Sequence, residues 1–204
     1  MVVILDYGAG NLASVLRAVE YLGHAAMITA DPDILRRAER VIFPGVGAAG
    51  ETMRHLRQAG LDRVLAEDIF AAGKPLLGIC IGIQVIFARS EEDDATCLGF
   101  LPGEVRRFPR EGGLKVPQIG WNQVRFVRPH PLFAGIEDDS EFYFVNSYYP
   151  VPAEPEHVLA TTEYGVTFTS VVGCRNLVAT QFHLEKSGRV GLKMLDNFCR
   201  WQPE

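Results

Sequence analysis

The stretch Pro75-Leu76-Leu77-Gly78-Ile79-Cys80-Ile81-Gly82-Ile83-Gln84 joins two apolar runs through a cysteine that has a glycine two residues away on either side. Residues 75–79 are typical of a short buried strand and residues 81–88 of a helix, so Cys80 falls at the turn between them. In open α/β sheets, ligands bind beyond the carboxyl ends of the strands. The stretch therefore predicts an α/β fold with Cys80 at its functional edge.

The same order of strand and helix recurs in the first half of the chain. Apolar strands that do not alternate with polar residues are typical of parallel sheets with helices on both faces. From about residue 100, β-branched and aromatic runs separated by turns predict further strands, some of them antiparallel. We expect one α/β domain over residues 1–204, with a mostly parallel central sheet flanked by helices and additional antiparallel strands in the C-terminal half. The other predicted strand and helix pairs are residues 2–5 with 12–22, 24–29 with 32–38, and 41–43 with 48–72, the last helix being broken at Gly60; the later strands are 141–145, 158–162, 166–172 and 177–182, and a final helix opens at Ser187.

Composition excludes several classes of protein. The chain has 204 residues, of which 48% are hydrophobic, so it can bury a sizeable core. A formal net charge of −5 provides no basic surface for nucleic acid, and the apolar runs are too short for a membrane span. No targeting segment is visible and the four cysteines form no C-x-x-C pair, so we expect a cytoplasmic protein with reduced thiols. Its expected partners are small molecules or other proteins.

A metal site is not expected. No two His or Cys residues occur at ligand spacing, and the acidic run at residues 91–94 is interpreted as a solvated loop. We also expect no cofactor.

Cys80 is a candidate nucleophile. A residue at a sharp turn from strand to helix is held in a strained conformation, and small neighbours let other backbone approach, as in the G-x-S-x-G elbow of serine hydrolases. The following helix N-terminus would stabilise a thiolate, and the Ile81 N–H could donate to an oxyanion. The alternative is a small apolar cysteine packed in the sheet, which is how many buried cysteines behave.

His183 is the candidate base. It is followed two residues later by Glu185, and in an extended chain the two side chains would point the same way, so that the carboxylate could orient the imidazole. The other four histidines lack a following carboxylate at that spacing. A surface pair is the alternative reading, but together with Cys80 these residues would complete a Cys-His-Glu triad.

Two glycine-rich loops follow predicted strands. Pro44-Gly45-Val46-Gly47 could present a second oxyanion donor from the backbone of Val46 or Gly47, or it could be an ordinary turn. Gly8-Ala9-Gly10-Asn11-Leu12-Ala13 matches the loose dinucleotide pattern G-x-G-x-x-G/A, with Asp31 about 20 residues further on. Against a dinucleotide site, Asp31 precedes Pro32 in what reads as a turn and helix cap.

Together, residues 78–84, the 44–47 turn and residues 181–187 resemble the class I glutamine amidotransferases, and the three motifs occur in the same order. The resemblance implies that Cys80, His183 and Glu185 form the triad that releases ammonia from glutamine. It also implies that the N–H groups of Ile81 and of Val46 or Gly47 hold the oxyanion. The residues that it implies near the bound glutamine are Gln84, Ser147 and Tyr148.

The stretches Asp6-Tyr7-Gly8-Ala9-Gly10-Asn11-Leu12, residues 115–122 and residues 143–148 further resemble one branch of that family, the glutaminase subunits of imidazole glycerol phosphate synthases. This branch has the first glycine loop without binding a nucleotide there. The resemblance implies a heterodimer with a cyclase subunit that is a (β/α)₈ barrel. It implies a partner interface near Gln118, Trp121, Asn122 and Asn146. The chain departs from the branch at Gln118 and Asn146, where His is usual, and at Leu184, where Pro is usual.

Three alternatives remain open from the sequence. The chain could serve as the amidotransferase subunit of another pathway, although Gly120-Trp121-Asn122 argues against this by resemblance. It could be a stand-alone thiol hydrolase, which would act without a partner. It could also be a noncatalytic binding module, in which replacing Cys80 would change no activity.

Overall fold

Strands and helices alternate through the first half of the chain, as the sequence predicts. The computed structural model describes residues 1–8, 10–109 and 113–203. The predicted break at Gly60 is confirmed, since its φ of 68° is left-handed and interrupts the helix. The elements are β1 (Val2–Leu5), α1 (Leu12–Tyr21), β2 (Ala26–Thr29), α2 (Pro32–Arg37), β3 (Arg40–Gly45), α3 (Ala49–Gln58), α4 (Leu61–Arg63) continuing as a π-helical segment (Val64–Phe70), β4 (Leu76–Cys80) and α5 (Ile81–Val85).

The second half is mostly strand, also as predicted, and ends in one helix. Short 3₁₀ turns connect several of the strands, among them Glu92–Asp94 and Leu184–Lys186. The elements are β5 (Arg89–Ser90), β6 (Ala95–Thr96), β7 (Gly103–Arg107), β8 (Gln118–Phe126), β9 (Ser140–Asn146), β10 (Tyr148–Pro152), β11 (Val158–Tyr164), β12 (Val166–Cys174), β13 (Leu177–Thr180) and α6 (Gly188–Arg200).

The described ranges form a nine-stranded mixed sheet in the order β2-β1-β3-β4-β13-β12-β11-β8-β9. The strands from β2 to β13 in this order are parallel, and the remaining pairs are antiparallel. This arrangement confirms the predicted α/β class. Every residue of β4 and β13 is buried, which explains why these apolar strands take the centre of the sheet. Their pairing brings the chain just after β13 beside the carboxyl end of β4.

A second, four-stranded sheet in the order β10-β7-β5-β6 lies within the described residues. The sequence does not predict it as a separate unit, because β5 and β6 have only two residues each. Its strand β10 follows β9 of the large sheet after the single residue Ser147, so the two sheets are joined there.

Helices cover both faces of the large sheet. Apolar side chains of α1 and α6, such as Val15 and Phe198, form the core on one face, and those of α3 and the π-helical segment, such as Leu56 and Leu65, form it on the other. The last helix is tied to β3 by Arg40, which is 7% exposed and donates to the carbonyls of Phe198 at 2.8 Å and Trp201 at 2.9 Å. The described part of the chain has no helix with the length and hydropathy to cross a membrane.

Candidate active site

Cys80 occupies a strained turn at the end of β4. Its φ of 56° and ψ of −102° are unusual for a residue with a side chain, and α5 begins at the next residue. A Cβ on Gly78 would lie 2.9 Å from the Gly82 carbonyl carbon and 3.0 Å from the Ala179 Cβ. A Cβ on Gly82 would overlap the Phe43 carbonyl oxygen of β3. The two glycines are therefore required by close backbone packing around the turn.

His183 and Glu185 form a buried pair. The Nδ1 atom of His183 lies 2.9 Å from Oε1 of Glu185, and the two side chains are 4% and 3% exposed. The extended chain that would have pointed the two side chains the same way is not present, because Leu184–Lys186 forms a 3₁₀ turn with His183 at its start. The turn, rather than strand alternation, brings the carboxylate back to the imidazole. Leu184 is fully buried in the core.

The backbone of His183 is anchored on β9. Its N–H donates to the Tyr143 carbonyl at 3.0 Å, and the Ser187 hydroxyl donates to its carbonyl. The same Ser187 oxygen accepts from the Tyr143 N–H at 2.9 Å. These bonds hold the imidazole in place through two segments that are distant in sequence.

Burial lowers the pKa of His183, but Cys80 and Glu185 outweigh it and raise that pKa well above its usual range. Both neighbours favour the imidazolium because each is an anion when ionised. The Cys80 Sγ has further neighbours at the longest sulfur hydrogen-bond distances, the Val145 carbonyl at 3.8 Å and the Gln181 Nε2 at 3.9 Å. The Nε2 atom of His183, which lines the same pocket as Cys80, has no hydrogen-bond partner among the described residues. The arrangement therefore places a protonated histidine beside Cys80 with one ring nitrogen free to exchange a proton.

A pocket of about 270 Å³ opens above Cys80. This volume is slightly below the range of roughly 300–1,000 Å³ that is usual for ligand pockets, so it suits a molecule of amino-acid size. It brings together the predicted oxyanion and substrate residues with two of the triad. Its lining comprises Val46, Gly47, Cys80, Ile81, Gln84, Glu92, Pro117, Val145, Asn146, Ser147, Tyr148, His183 and Lys186.

Gln84 ties the walls of this pocket to each other. Its Nε2 donates to the Tyr148 carbonyl at 3.3 Å and to the Gln181 Oε1 at 3.2 Å. The Tyr148 carbonyl also accepts from Asn146 Nδ2 at 3.0 Å. The backbone around Ser147 is thus held over α5 by buried amides.

Glu92 is a lining residue that the sequence analysis missed. The interpretation of residues 91–94 as a solvated loop is wrong at this position, because Glu92 is partly buried and faces the pocket. Its Oε2 accepts from the Ala49 N–H at 2.8 Å, at the start of α3, where the N-cap residue Ala48 makes no side-chain cap. Burial raises the pKa of Glu92, and the bond from Ala49 partly offsets the effect. The sequence carries no local signal for this contact.

The four residues predicted for a partner interface are not on one surface. Trp121 is 55% exposed, whereas Gln118 and Asn146 are buried and face each other across β8 and β9. Asn122 donates to the Glu163 carbonyl at 2.9 Å. Of the four, Trp121 presents the large exposed apolar side chain.

The first glycine loop packs against the second. A Cβ on Gly10 would lie 3.1 Å from the Gly45 Cα, so the loop needs a glycine there, while Ala9 lies outside the described residues. Asp31 caps α2, with its Oδ1 accepting from the Asp33 N–H at 2.8 Å. This cap agrees with the turn reading of Asp31 rather than with a ribose ligand. Within the described ranges, no group of three or more His, Cys, Asp or Glu residues is placed to hold a metal ion.

Comparison with known proteins gives full-length relatives. The chain is 51% identical over 201 residues to the imidazole glycerol phosphate synthase subunit HisH of Dehalococcoides mccartyi, covering 98% of this chain and 97% of the relative. It is 50% identical over 210 residues to the protein of the same name from Nitratidesulfovibrio vulgaris, covering 100% of this chain and 98% of the relative.

Solved structures and a family model agree with this similarity. A glutamine amidotransferase crystal structure matches with a TM-score of 0.72 at 19% identity, covering 98% of this chain and 100% of that one. The glutaminase domain of Trypanosoma brucei CTPS, with bound acivicin, matches with a TM-score of 0.67 at 16% identity, covering 100% of this chain and 95% of that one. Both confirm the predicted fold. The family model for class-I glutamine amidotransferases matches residues 3–201, and the chain therefore belongs to the class-I glutamine amidotransferase family.

Proposed function

We propose that this chain is the glutaminase subunit of an imidazole glycerol phosphate synthase, and that it hydrolyses glutamine to glutamate and ammonia. The observation that carries the proposal is that the strained Cys80 and His183 line one pocket, while the buried Glu185 is hydrogen-bonded to Nδ1 of His183. The identity of about 50% to HisH subunits over the full length supports the pathway. We infer that residues 1–204 act as one glutaminase domain, which the family match over residues 3–201 supports.

The pocket suits glutamine in charge as well as in size. Among the lining residues, Glu92 carries a carboxylate, which can accept hydrogen bonds from the α-ammonium group of an amino acid. Gln84, Ser147 and Tyr148 lie along the wall where the rest of the substrate would extend toward Cys80. Glu92 is thus our candidate for recognition of the amino-acid end of glutamine.

In the first step, the Cys80 thiolate attacks the side-chain amide carbon of glutamine while His183 is protonated. The amide oxygen becomes an oxyanion, held by the N–H of Ile81 and by that of Val46 or Gly47. Collapse of this intermediate breaks the bond from carbon to nitrogen. His183 gives its proton to the departing nitrogen, which leaves as ammonia, and a glutamyl thioester remains on Cys80.

In the second step, water attacks the thioester. Neutral His183 takes a proton from the water, the oxyanion forms again, and its collapse releases glutamate and restores the thiolate. Glu185 stabilises the imidazolium in both steps through the 2.9 Å bond to Nδ1. No step requires a metal or an organic cofactor, and we propose none.

We propose a cyclase subunit with a (β/α)₈ barrel as the partner in a heterodimer, because the ammonia must reach an acceptor before it is lost. Ile119 and Trp121 lie two residues apart on β8, are 58% and 55% exposed, and share one face of the strand. Trp121 packs edge-on against Tyr143, with ring centroids 5.9 Å apart, and the Tyr143 carbonyl holds His183. A partner seated on Trp121 would therefore adjoin the triad. We propose a cytoplasmic setting, which the four free cysteines support.

The test measures glutamate release from glutamine by the purified chain alone, and then with the cyclase subunit and its ribonucleotide substrate. We expect release to increase on addition of the loaded partner and to be abolished by Cys80→Ala. Strong turnover without a partner would contradict the coupled function and favour a stand-alone hydrolase. Activity that survives Cys80→Ala would rule out the nucleophile.

A further inference from the structure

Tyr7 carries a buried hydroxyl that the mechanism does not use. It lies just after β1, is 5% exposed, and its hydroxyl oxygen is sealed from solvent without a hydrogen-bond partner among the described residues. Most buried polar groups are paired, because an unpaired one costs free energy that a phenylalanine would not. We therefore expect the hydroxyl to form a hydrogen bond in another conformation of the backbone around it.

The hydroxyl is positioned between the two backbone segments that would form the oxyanion hole. The Tyr7 ring packs edge-on against Phe43 of β3, with centroids 5.4 Å apart, and its oxygen occupies the space that a Cβ on Gly45 would need. The same Cβ would lie 2.6 Å from Cγ2 of Ile81. Gly45 pairs with Cys80 in the sheet and directly precedes Val46.

The hydroxyl is available as a donor at any physiological pH. Burial raises the pKa of Tyr7 above its ordinary value, and Thr52 of α3 partly offsets the effect without meeting the geometry of a hydrogen bond to it. A neutral phenol has one proton to donate and needs an acceptor within reach. Gly45 lies against the hydroxyl, since a Cβ there would overlap its oxygen, and the Gly45 carbonyl is the acceptor that a turn of the backbone would offer.

A peptide plane carries its N–H and its C=O on opposite sides. When the plane between Gly45 and Val46 turns so that the Val46 N–H faces Cys80, the Gly45 carbonyl turns away from the pocket. We propose that Tyr7 is a positioning residue whose hydroxyl donates to the Gly45 carbonyl in this orientation and so holds the Val46 N–H toward the oxyanion. The glycine at position 45 allows the rotation and leaves room for the hydroxyl.

The inference deepens the proposed glutaminase function and rests on it. The test compares Tyr7→Phe, which removes one oxygen, with Tyr21→Phe, a matched change at a side chain that is 79% exposed. Each variant is assayed with the loaded cyclase subunit for kcat and KM of glutamate release, for thermal unfolding, and for alkylation of Cys80 by iodoacetamide. Alkylation needs the Cys80 thiolate but forms no oxyanion. It therefore distinguishes an effect on the oxyanion donors of the 45–47 loop from an effect on the nucleophile.

For Tyr7→Phe we expect kcat to fall about tenfold, which corresponds to about 1.4 kcal/mol, with KM and the alkylation rate unchanged and no loss of thermal stability. Tyr21→Phe should match the wild type throughout. An unchanged kcat, or a lower Tm with unchanged kcat, would overturn the role and leave the hydroxyl structural. Equal losses in kcat and alkylation would also overturn it, by assigning the effect to Cys80. If the wild type itself releases no glutamate with its partner, the proposed function fails, and the inference fails with it.

Discussion

Gly78→Ala offers a direct test of how closely the turn at Cys80 is packed. The new Cβ would lie 2.9 Å from the Gly82 carbonyl carbon and 3.0 Å from the Ala179 Cβ. Ordinary contacts between carbon atoms are about 3.5–4.0 Å, so β4 and the first turn of α5 would have to separate by roughly 0.6–1.1 Å. Strand β4 lies between β3 and β13 and cannot move freely, so the shift falls mainly on α5 and on Cys80.

Overpacking of this kind costs about 1–3 kcal/mol of unfolding free energy. A displacement of about 1 Å at reacting groups can cost about 10²-fold in rate. We therefore expect Gly78→Ala to lower kcat for glutamate release by about 10- to 100-fold and to lower the unfolding free energy within that range. Urea denaturation at 25 °C gives the stability, and the assay with the loaded partner gives kcat.

The matched control is Gly60→Ala. Gly60 has a φ of 68° and open space where a Cβ would go, so alanine there is strained by about 1–2 kcal/mol without touching the pocket. Its kcat should stay within about twofold of the wild type, a margin of only about 0.4 kcal/mol. If Gly78→Ala keeps both wild-type stability and wild-type kcat, the turn can accommodate a methyl group and the packing argument is wrong. Equal losses of kcat in the two variants would instead attribute the effect to general instability.

Three further changes test separate parts of the site. Glu185→Gln should lower kcat by about 10²–10⁴-fold. It should also move the pH profile of Cys80 alkylation to higher pH, because Glu185 raises the pKa of His183 and so favours the imidazolium beside the thiolate. A profile identical to that of the wild type would exclude this coupling. Glu92→Gln should raise KM for glutamine about tenfold, which corresponds to the loss of about 1.4 kcal/mol of charge-assisted hydrogen bonding. Glu91→Gln, at an exposed neighbour, is the control. An unchanged KM for Glu92→Gln would exclude Glu92 from substrate recognition. Arg40→Met removes the donor to the Phe198 and Trp201 carbonyls; the Phe198 carbonyl keeps the Trp201 N–H, but the Trp201 carbonyl loses its partner. The change should cost about 1–3 kcal/mol in urea denaturation while kcat at 25 °C stays near wild type, and a lower kcat at full stability would contradict a purely structural role.

The partner interface shows where reasoning from sequence stops. Gln118 and Asn146 stand out in the sequence because the related subunits usually have histidine there, yet both are buried and oppose each other across two strands. Their pairing follows from the register of β8 with β9, which are separated by a long connection. Exposure therefore makes Trp121, not the two departures, the contact that we propose for a partner.

Local chemistry was enough to predict much of this protein. Apolar runs, glycines and turn residues predict the alternating strands and helices because these depend on neighbours only a few positions away. The elbow at Cys80 is readable for the same reason, since both glycines lie within two residues of it. His183 and Glu185 could also be identified as a pair, although a 3₁₀ turn, not an extended chain, joins them.

Only the tertiary structure decided the rest of the site. Glu92 enters the pocket because its carboxylate caps α3, whose first N–H is 43 residues earlier in the chain. Tyr7 lies beneath the 45–47 loop because β1 and β3 are neighbours in the sheet. Such contacts depend on how parallel strands are ordered, and no local pattern encodes that order. The sequence by itself determined which groups could do chemistry, and the packing of the sheet decided which of them meet.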